Sequence, residues 1–461
     1  MINNTDDTIA AIATAPGNSG IGVIRISGEK AIEIADSIIV NKSGKKTDII
    51  DQESHTVKYG FVFDGNDTID EVLVSVFKKP RSYTAEDVVE ISCHGGTYVL
   101  RRVLSLITER GARPAEPGEF TKRAFMNGRI DLTEAEAVMD VISSGNEFAR
   151  KNSLSILKGA VHNKIVSMRD KILHETAFIE SALDDPEHYS LEGYPEKLKE
   201  IIEELIRSVR KMISDSDTGR VLKEGIRTAI AGKPNVGKSS ILNLLSGENK
   251  AIVTDIPGTT RDIVSSEVSL SGIPIILFDT AGIRETEDTV EKIGVERSRE
   301  SIDLADLILF TIDSSEGITE EDREIYDLIK ANDKKCIILK NKTDLQAEDP
   351  DTSYFTDPVI EFSAKTEKGL YELKKKIEEY FLSGEIQNSE DIYITNVRQI
   401  KELKYTEDSL LLVIKSIEDI MTEDFFTVDL MDAYSHLGNI IGEDTDEDLF
   451  DRIFSEFCMG K

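Results

Sequence analysis

The run Gly232-Lys-Pro-Asn-Val-Gly-Lys-Ser239 constrains this chain more than any other stretch. It follows Ile226-Arg-Thr-Ala-Ile-Ala231, which alternates and ends apolar as a strand does, and it precedes Ile241, Leu242, Leu244 and Leu245 at helical spacing. Strand, Gly-rich loop and helix form the context that turns G-x-x-x-x-G-K-[ST] into a phosphate-binding loop. Its glycines let backbone N–H groups close round phosphates, Lys238 brings a point charge to the outer phosphates, and Ser239 is placed to ligate magnesium. A chance Gly-rich turn is the competing explanation, and the loop alone does not dismiss it.

Three further motifs do. Asn341-Lys-Thr-Asp344 follows the apolar strand Cys336–Lys340, at the strand end where open α/β sheets bind ligands. A carboxylate there accepts from the ring N–H and exocyclic amine of guanine, whereas adenine would face Asp344 with an acceptor. Ser363-Ala-Lys365 follows the strand Val359–Ser363 and suits backbone contact with the base oxygen. Asp279-Thr-Ala-Gly282 ends the strand Ile273–Phe278 and would approach the magnesium and γ-phosphate. Together these motifs predict a GTP-binding domain.

At 461 residues the chain has room for about three domains. A hydrophobic fraction of 39% suffices for packed cores, and no apolar run approaches membrane-spanning length. The acidic start, Met1-Ile-Asn-Asn-Thr-Asp-Asp7, is unlike a signal peptide. Cys93, Cys336 and Cys458 are widely separated and form no C-x-x-C pair, which points to a reducing cytoplasm rather than a disulfide framework or structural zinc. The net charge of −32 opposes RNA binding by the chain as a whole. Arg101, Arg102, Arg110, Arg113, Lys122 and Arg123 cluster in sequence, though a solvated helix face explains such a run at least as well as a basic patch. If RNA is the substrate, a partner supplies much of the electrostatics.

The expected organisation is a multidomain α/β chain. Residues 1–120 mix strand-like and helical runs as an α+β domain. Residues 121–224 turn helical, with Leu198, Ile201, Ile202, Leu205, Val209 and Met212 marking one apolar stripe. Residues 225–384 carry the nucleotide motifs on a Ras-like fold. Residues 385–461 return to helical periodicity through Leu410, Val413, Ile414, Ile417, Ile420 and Met421. The last segment is short and its stripe needs a partner, so the economical reading is one discontinuous helical domain interrupted by an inserted GTPase.

The chain resembles the tRNA-modification GTPase family called MnmE or TrmE. The motifs that carry the resemblance are Gly20-Ile-Gly-Val-Ile-Arg-Ile-Ser-Gly28, Cys93-His-Gly-Gly96, Glu116-Pro-Gly-Glu-Phe-Thr-Lys-Arg-Ala-Phe125, Asp131-Leu-Thr-Glu-Ala-Glu136, Gly258-Thr-Thr-Arg-Asp262 and the closing Cys458-Met-Gly-Lys461. The resemblance implies a homodimer, joined through the N-terminal domain, that forms a heterotetramer with an FAD protein of MnmG (GidA) type. Together they would add an aminomethyl or carboxymethylaminomethyl group to carbon 5 of the wobble uridine of certain tRNAs. The one-carbon donor would be a tetrahydrofolate derivative, 5-formyl- or methylene-tetrahydrofolate, and GTP hydrolysis would drive or gate the reaction. By motif position Arg25, Glu90, Arg129 and Lys461 are the folate-contacting residues; Arg129 stands where many members carry lysine.

The same resemblance completes the GTP site. Its contacts are Asn235, Val236, Gly237, Lys238, Ser239 and Ser240; Thr254, Asp255, Ile256, Pro257, Gly258, Thr259 and Thr260; Asp279, Thr280, Ala281 and Gly282; Asn341, Lys342 and Asp344; and Ser363, Ala364 and Lys365. Thr260 joins Ser239 on Mg2+. The glutamine that orients water in Ras-like enzymes is here Ile283, which cannot do so. The resemblance assigns that work to Glu291, which by residues alone is one more carboxylate on an acidic stretch. It also puts K+ in the place of an arginine finger, held by Asn235, Thr254, Ile256 and Thr259. Cys458 is either a reacting thiol or a structural end-group. Two other functions compete: a ribosome-assembly GTPase that acts as a binding switch, and a folate-binding scaffold whose GTPase only controls dimer closure.

Overall fold

The computed structural model describes residues 7–247, 265–270, 273–278, 302–345, 352–381, 393–443, 450, 453–455, 457 and 460. The chain divides into two compact units. One comprises Met1–Ile142, Ser155–Lys199 and Asp408–Lys461, the other Ser143–Leu154 and Glu200–Glu407. Among the described residues no helix is long and apolar enough to cross a membrane.

The first unit is built on a seven-stranded sheet. Its strands are β1 (Ile9–Ile12), β2 (Ile21–Ser27), β3 (Ile39–Val40), β4 (Thr56–Phe63), β5 (Thr68–Phe77), β6 (Val88–His94) and β7 (Arg113–Pro114), in the order β3-β4-β5-β6-β2-β1-β7. All pairings are antiparallel except that of β1 with β7. The period-2 pattern decides which face is covered. Ile24 and Ile26, Val72, Val74 and Val76, and Val89 and Ile91 share one core with helices α1 (Ala31–Ile38) and α2 (Thr97–Glu109). The alternate positions, Arg25 on β2 and Glu90 on β6 among them, point to the other face.

Helices α3 (Glu119–Met126), α4 (Leu132–Ile142) and α5 (Glu147–Leu157) follow the sheet, then the longer α6 (Ala160–Asp184) and α7 (Tyr194–Glu224). Late in the chain come α11 (Val397–Glu418) and α12 (Asp424–Ile441); α12 packs on α6, and its Leu430, Ala433, Leu437, Ile440 and Ile441 are buried. The apolar stripe expected on these late helices stops short of its predicted end. Leu410 and Val413 are buried, but Ile420 is 91% exposed and Met421 is exposed too. They lie in the turn between α11 and α12, where Ile420 adopts a left-handed backbone (φ 54°) and helical periodicity no longer governs direction.

The second unit contains a six-stranded sheet in the order β13-β12-β11-β8-β10-β9. The strands are β8 (Ile226–Ala231), β9 (Ser265–Leu270), β10 (Ile273–Phe278), β11 (Leu307–Asp313), β12 (Lys335–Asn341) and β13 (Val359–Glu361). β9 is antiparallel to β10; the rest run parallel. Helices α8 (Lys238–Gly247), α9 (Glu320–Ala331) and α10 (Leu370–Phe381) accompany them. β11 is buried along its whole length, as a central parallel strand covered on both faces must be. Parallel strands put the loops after β8, β11, β12 and β13 at one edge of the sheet, the edge where open α/β folds bind ligands.

Candidate functional site

The phosphate loop leaves β8 through Gly232 (φ 144°) and enters α8 through Gly237 (φ 99°). Both φ values lie where side chains are strained, and space forbids a side chain as well. A Cβ on Gly232 would strike the Thr311 carbonyl of β11, and one on Gly237 would strike the Asn341 amide. Asn235 takes the left-handed conformation (φ 66°), which asparagine tolerates better than most residues. Lys238 Nζ donates to the carbonyls of Gly232 (2.7 Å) and Lys233 (2.8 Å), so its ammonium is held over the loop. Ser239 and Ser240 are exposed in the first turn of α8, where free N–H groups and the helix dipole favour an anion.

The base-side motifs meet this loop through one amide. Asn341 Nδ2 donates to Val236 O (2.8 Å), and Asn341 Oδ1 accepts from Ala364 N–H (3.1 Å). One side chain thus joins the phosphate loop to both segments expected at the base. Ser363 Oγ donates to Asp344 Oδ1 (2.8 Å), with Lys365 Nζ 4.0 Å from Oδ2. Lys342 reaches the carboxylate of Asp313 at 2.6 Å. Burial opposes ionisation of Asp313, but the Lys342 bond and the two Ser315 bonds together outweigh it and hold the carboxyl below its usual range. Asn235, Val236, Gly237, Lys238, Asn341, Lys342, Asp344, Ser363, Ala364 and Lys365 therefore lie along one rim. Thr254–Thr260, Asp279–Gly282, Glu291, Cys458 and Lys461 lie outside the described residues. No cluster of three or more metal-ligating side chains occurs among the described residues. A magnesium ion that keeps its waters and binds substrate phosphates requires none.

A second constellation forms on the face of the N-terminal sheet opposite α1 and α2. Arg25 and Glu90 are register partners on β2 and β6, and Nε and Nη2 of the arginine lie 2.9 and 2.8 Å from Glu90 Oε1. Arg25 Nη1 donates to the carbonyl of Gly460 (3.2 Å), a residue far away in sequence. Tyr83 carries both arginines: the Arg25 and Arg129 guanidinium carbons lie 4.9 and 5.0 Å from its ring centroid. Arg129 also donates to the Tyr83 carbonyl (2.8 Å). Beside them opens a cleft of about 480 Å³, to which His55, Pro80, Tyr83, Glu90 and Arg129 contribute. Gly118, in left-handed backbone (φ 70°), leaves room for the Phe454 carbonyl, and Gly460 packs on Ala13. The described part of the tail is thereby seated against the N-terminal segment.

Motif reading missed Tyr83, Asp313 and Lys233. Each had a signal: Tyr83 is an aromatic in the loop before the strand of Glu90, Asp313 ends an apolar strand as Asn341 does, and Lys233 stands inside the phosphate loop. The basic cluster fares differently. Arg102 pairs with Asp64, Arg113 with Asp7 and Glu119, and Arg123 is buried among Asp7, Glu86 and Glu119. These three arginines are committed to carboxylates and present no open anion-binding face. Cys93 and Cys336 are buried, which pushes each thiol up to about 12 and makes both inert at neutral pH.

Residues 8–129 match the family model described as the GTP-binding protein TrmE N-terminus, and residues 132–458 match the MnmE helical domain. A tRNA modification GTPase MnmE from Lachnoclostridium phytofermentans is 51% identical over 458 residues, covering 99% of both chains. The protein of the same name from Clostridioides difficile is 46% identical over 460 residues, again with 99% of each chain covered. Aquifex aeolicus Era, a solved structure, is 33% identical over 40% of this chain and 66% of its own, with a TM-score of 0.28 that carries no weight for the fold. With full-length identity at this level and a family model spanning most of the sequence, the chain belongs to the MnmE/TrmE family of tRNA modification GTPases.

Proposed function

We propose that this tRNA modification GTPase takes a one-carbon unit from a tetrahydrofolate derivative and builds it onto carbon 5 of the wobble uridine, with a flavin-containing partner of MnmG type. The observation that carries this reading is the meeting of Glu90 and Arg129 on one cleft, with Arg25 paired to Glu90 and reached by the chain's tail through Gly460. The cleft has the size of a small-molecule site. A carboxylate such as Glu90 suits the paired N–H donors of a pterin ring, and guanidinium groups suit its carbonyl or the carboxylates of its glutamate tail. Lys461, the residue after Gly460, would add a positive charge for that tail. The donor, when bound, supplies the carbon that is transferred; the protein's part is to orient it and to hold Cys458 near the end of the same tail.

In this reading GTP occupies the rim from Asn235 to Ser240 and from Asn341 to Lys365. Mg2+ is held by Ser239 and Thr260, K+ by Asn235, Thr254, Ile256 and Thr259, and Glu291 activates water. The N-terminal domain spans residues 1–120, and the GTPase, residues 225–384, is inserted into a helical domain made of 121–224 and 385–461. Homodimerisation would cover the sheet face opposite α1 and α2, where Ile21, Tyr59 and Leu73 are exposed. The chain works in the cytoplasm, and its net charge of −32 leaves much of the attraction for tRNA to the partner.

The test is nucleoside mass spectrometry of tRNA from cells lacking this chain, complemented with wild type, Glu90→Gln or Cys458→Ser. The reading requires loss of the 5-substituted wobble uridine in the deletion strain and failure of Glu90→Gln to restore it, with GTP hydrolysis intact in the purified variant. Normal tRNA in the deletion strain would favour the binding-switch alternative. Full rescue by Cys458→Ser would make the thiol a structural end-group.

A further inference from the structure

A segment that no nucleotide motif includes holds both nucleotide loops. It begins at Asp313, the last residue of β11, which is 2% exposed and pairs with Lys342 Nζ through Oδ2. Asp313 Oδ1 accepts from the Ser315 amide (2.9 Å) and hydroxyl (2.6 Å), which fixes the carboxylate plane. The Ser314 N–H donates to the Asn341 carbonyl at 2.9 Å. A few residues on, Glu316 and Asp322 lie 3.1 and 3.5 Å from Lys233 Nζ. Lys233 is 8% exposed at its side chain and Asp322 is fully buried. Asp322 is itself fixed, because its Oδ2 accepts from the amide and hydroxyl of Thr319 in the capping box of α9. Lys233 belongs to the phosphate loop, and its carbonyl is one of the two that receive Lys238.

We propose that the segment Asp313–Asp322 is the positioning element of the nucleotide site: Asp313 sets Lys342 and with it the base loop, while Glu316 and Asp322 set Lys233 and with it the phosphate loop.

The physical case rests on two costs. A carboxylate as covered as Asp313 or Asp322 is unfavourable without a charged or hydrogen-bonding partner, so each lysine is where the burial requires it. Lys342 in turn has a left-handed backbone (φ 67°), a strained setting that persists only when its surroundings enforce it. With both lysines oriented before nucleotide arrives, their rotamer freedom is already spent and binding does not lose it again. Asp313 meets the expected ligand rim at Lys342, and Asp322 meets the phosphate loop at Lys233. They act through the lysines.

The experiment uses the full-length protein with a fluorescent GDP as the probe of the whole site and inorganic tripolyphosphate, as competitor, as the probe of the phosphate loop alone. Asp313→Asn is expected to weaken GDP about tenfold and to leave tripolyphosphate unchanged. In a cycle with Lys342→Met, the double variant is expected to bind GDP no worse than Lys342→Met alone, because the aspartate acts only through that lysine. Glu316→Gln, at an exposed position that folding tolerates, is expected to weaken tripolyphosphate about threefold. If Asp313→Asn perturbs folding, Ser315→Ala reads the same arm by loosening the carboxylate from the outside, and it must weaken GDP selectively over tripolyphosphate. GDP affinity within twofold of wild type for both Asp313→Asn and Ser315→Ala would overturn the base-loop arm. Additive losses in the cycle would show a general structural role instead. Unchanged tripolyphosphate binding in Glu316→Gln and in Lys233→Met would overturn the phosphate-loop arm.

Discussion

Truncating Asn341 should separate the three nucleotide segments that it joins. Asn341→Ala removes the bond to Val236 O and the bond from Ala364 N–H. Each buried polar group left without a partner costs about 1–3 kcal/mol. Val236 is buried and bears that cost in full, whereas Ala364 is half-buried and water can replace much of what its N–H loses. The sum is about 2–3 kcal/mol. Both bonds exist without nucleotide, so about half of this, ~1–1.5 kcal/mol, appears as lost stability: at about 2–4 °C per kcal/mol for a unit of this size, a fall of about 2–6 °C in the thermal midpoint. The remainder appears as affinity, since loops out of register meet the nucleotide poorly, and a loss of about 1.4 kcal/mol there weakens binding tenfold. Asn341→Asp keeps the acceptor for Ala364 but turns an oxygen toward the Val236 carbonyl, so it should bind nucleotide no better than Asn341→Ala. Calorimetry without nucleotide and titration with a fluorescent GDP read the two parts. A midpoint within about 1 °C of wild type, with affinity within twofold, would refute the idea that this amide holds the loops together.

Three further outcomes are expected. Asp344→Asn should weaken GTP by more than about tenfold and improve xanthosine triphosphate, because the amide can donate to the oxygen that replaces the guanine amine; unchanged GTP affinity would remove Asp344 from the base pocket. Hydrolysis should be much faster in potassium than in sodium at equal ionic strength, and Asn235→Ala should erase most of that difference while still binding nucleotide; equal turnover in the two salts would sink the cation assignment. Burial is the largest influence on Glu119 and opposes ionisation, but the bonds from Arg113 and the Glu116 amide, with the charges of Arg113 and Arg123, together hold it below the usual 4.5, so its stabilising effect is present above that value and disappears as pH falls through the lowered one. Glu119→Gln should therefore melt below wild type near neutral pH and converge with it as the pH falls below the usual carboxylate range; a gap that persists in strong acid would contradict the pairing.

How legible the site was in sequence depends on what each residue does. Gly232, Gly237 and Asn341 stand at spacings that backbone geometry dictates, so a single sequence reveals them. The strand ends were equally readable, because β8, β10 and β12 are short apolar runs stopped by polar residues. β4 is harder to read although Thr56-Val-Lys-Tyr-Gly-Phe-Val-Phe63 alternates, because its exposed face carries Val57 and Tyr59 and blurs the contrast between faces. Asp313 and Lys233 stand at positions that local spacing marks, but their roles are not readable there: their partners lie 29 and 83 to 89 positions away, a relation set by the sheet order. The arginine run from Arg101 to Arg123 misleads in the opposite direction. Charge density in sequence says nothing about which carboxylates the fold will bring alongside.

One feature of α7 has a mechanical meaning. Its last residue, Glu224, is separated from β8 by Gly225 alone, and Gly225 (φ 85°) packs against the Pro274 carbonyl of β10. From Glu200 to Glu224 the helix is a stiff rod about 37 Å long, at 1.5 Å per residue. That rod ends one residue from the strand that carries the phosphate loop. A tilt of about 5° at Gly225 would move the far end by about 3 Å, so a rod of this length would turn a small adjustment of β8 into a displacement large enough to break or make side-chain contacts.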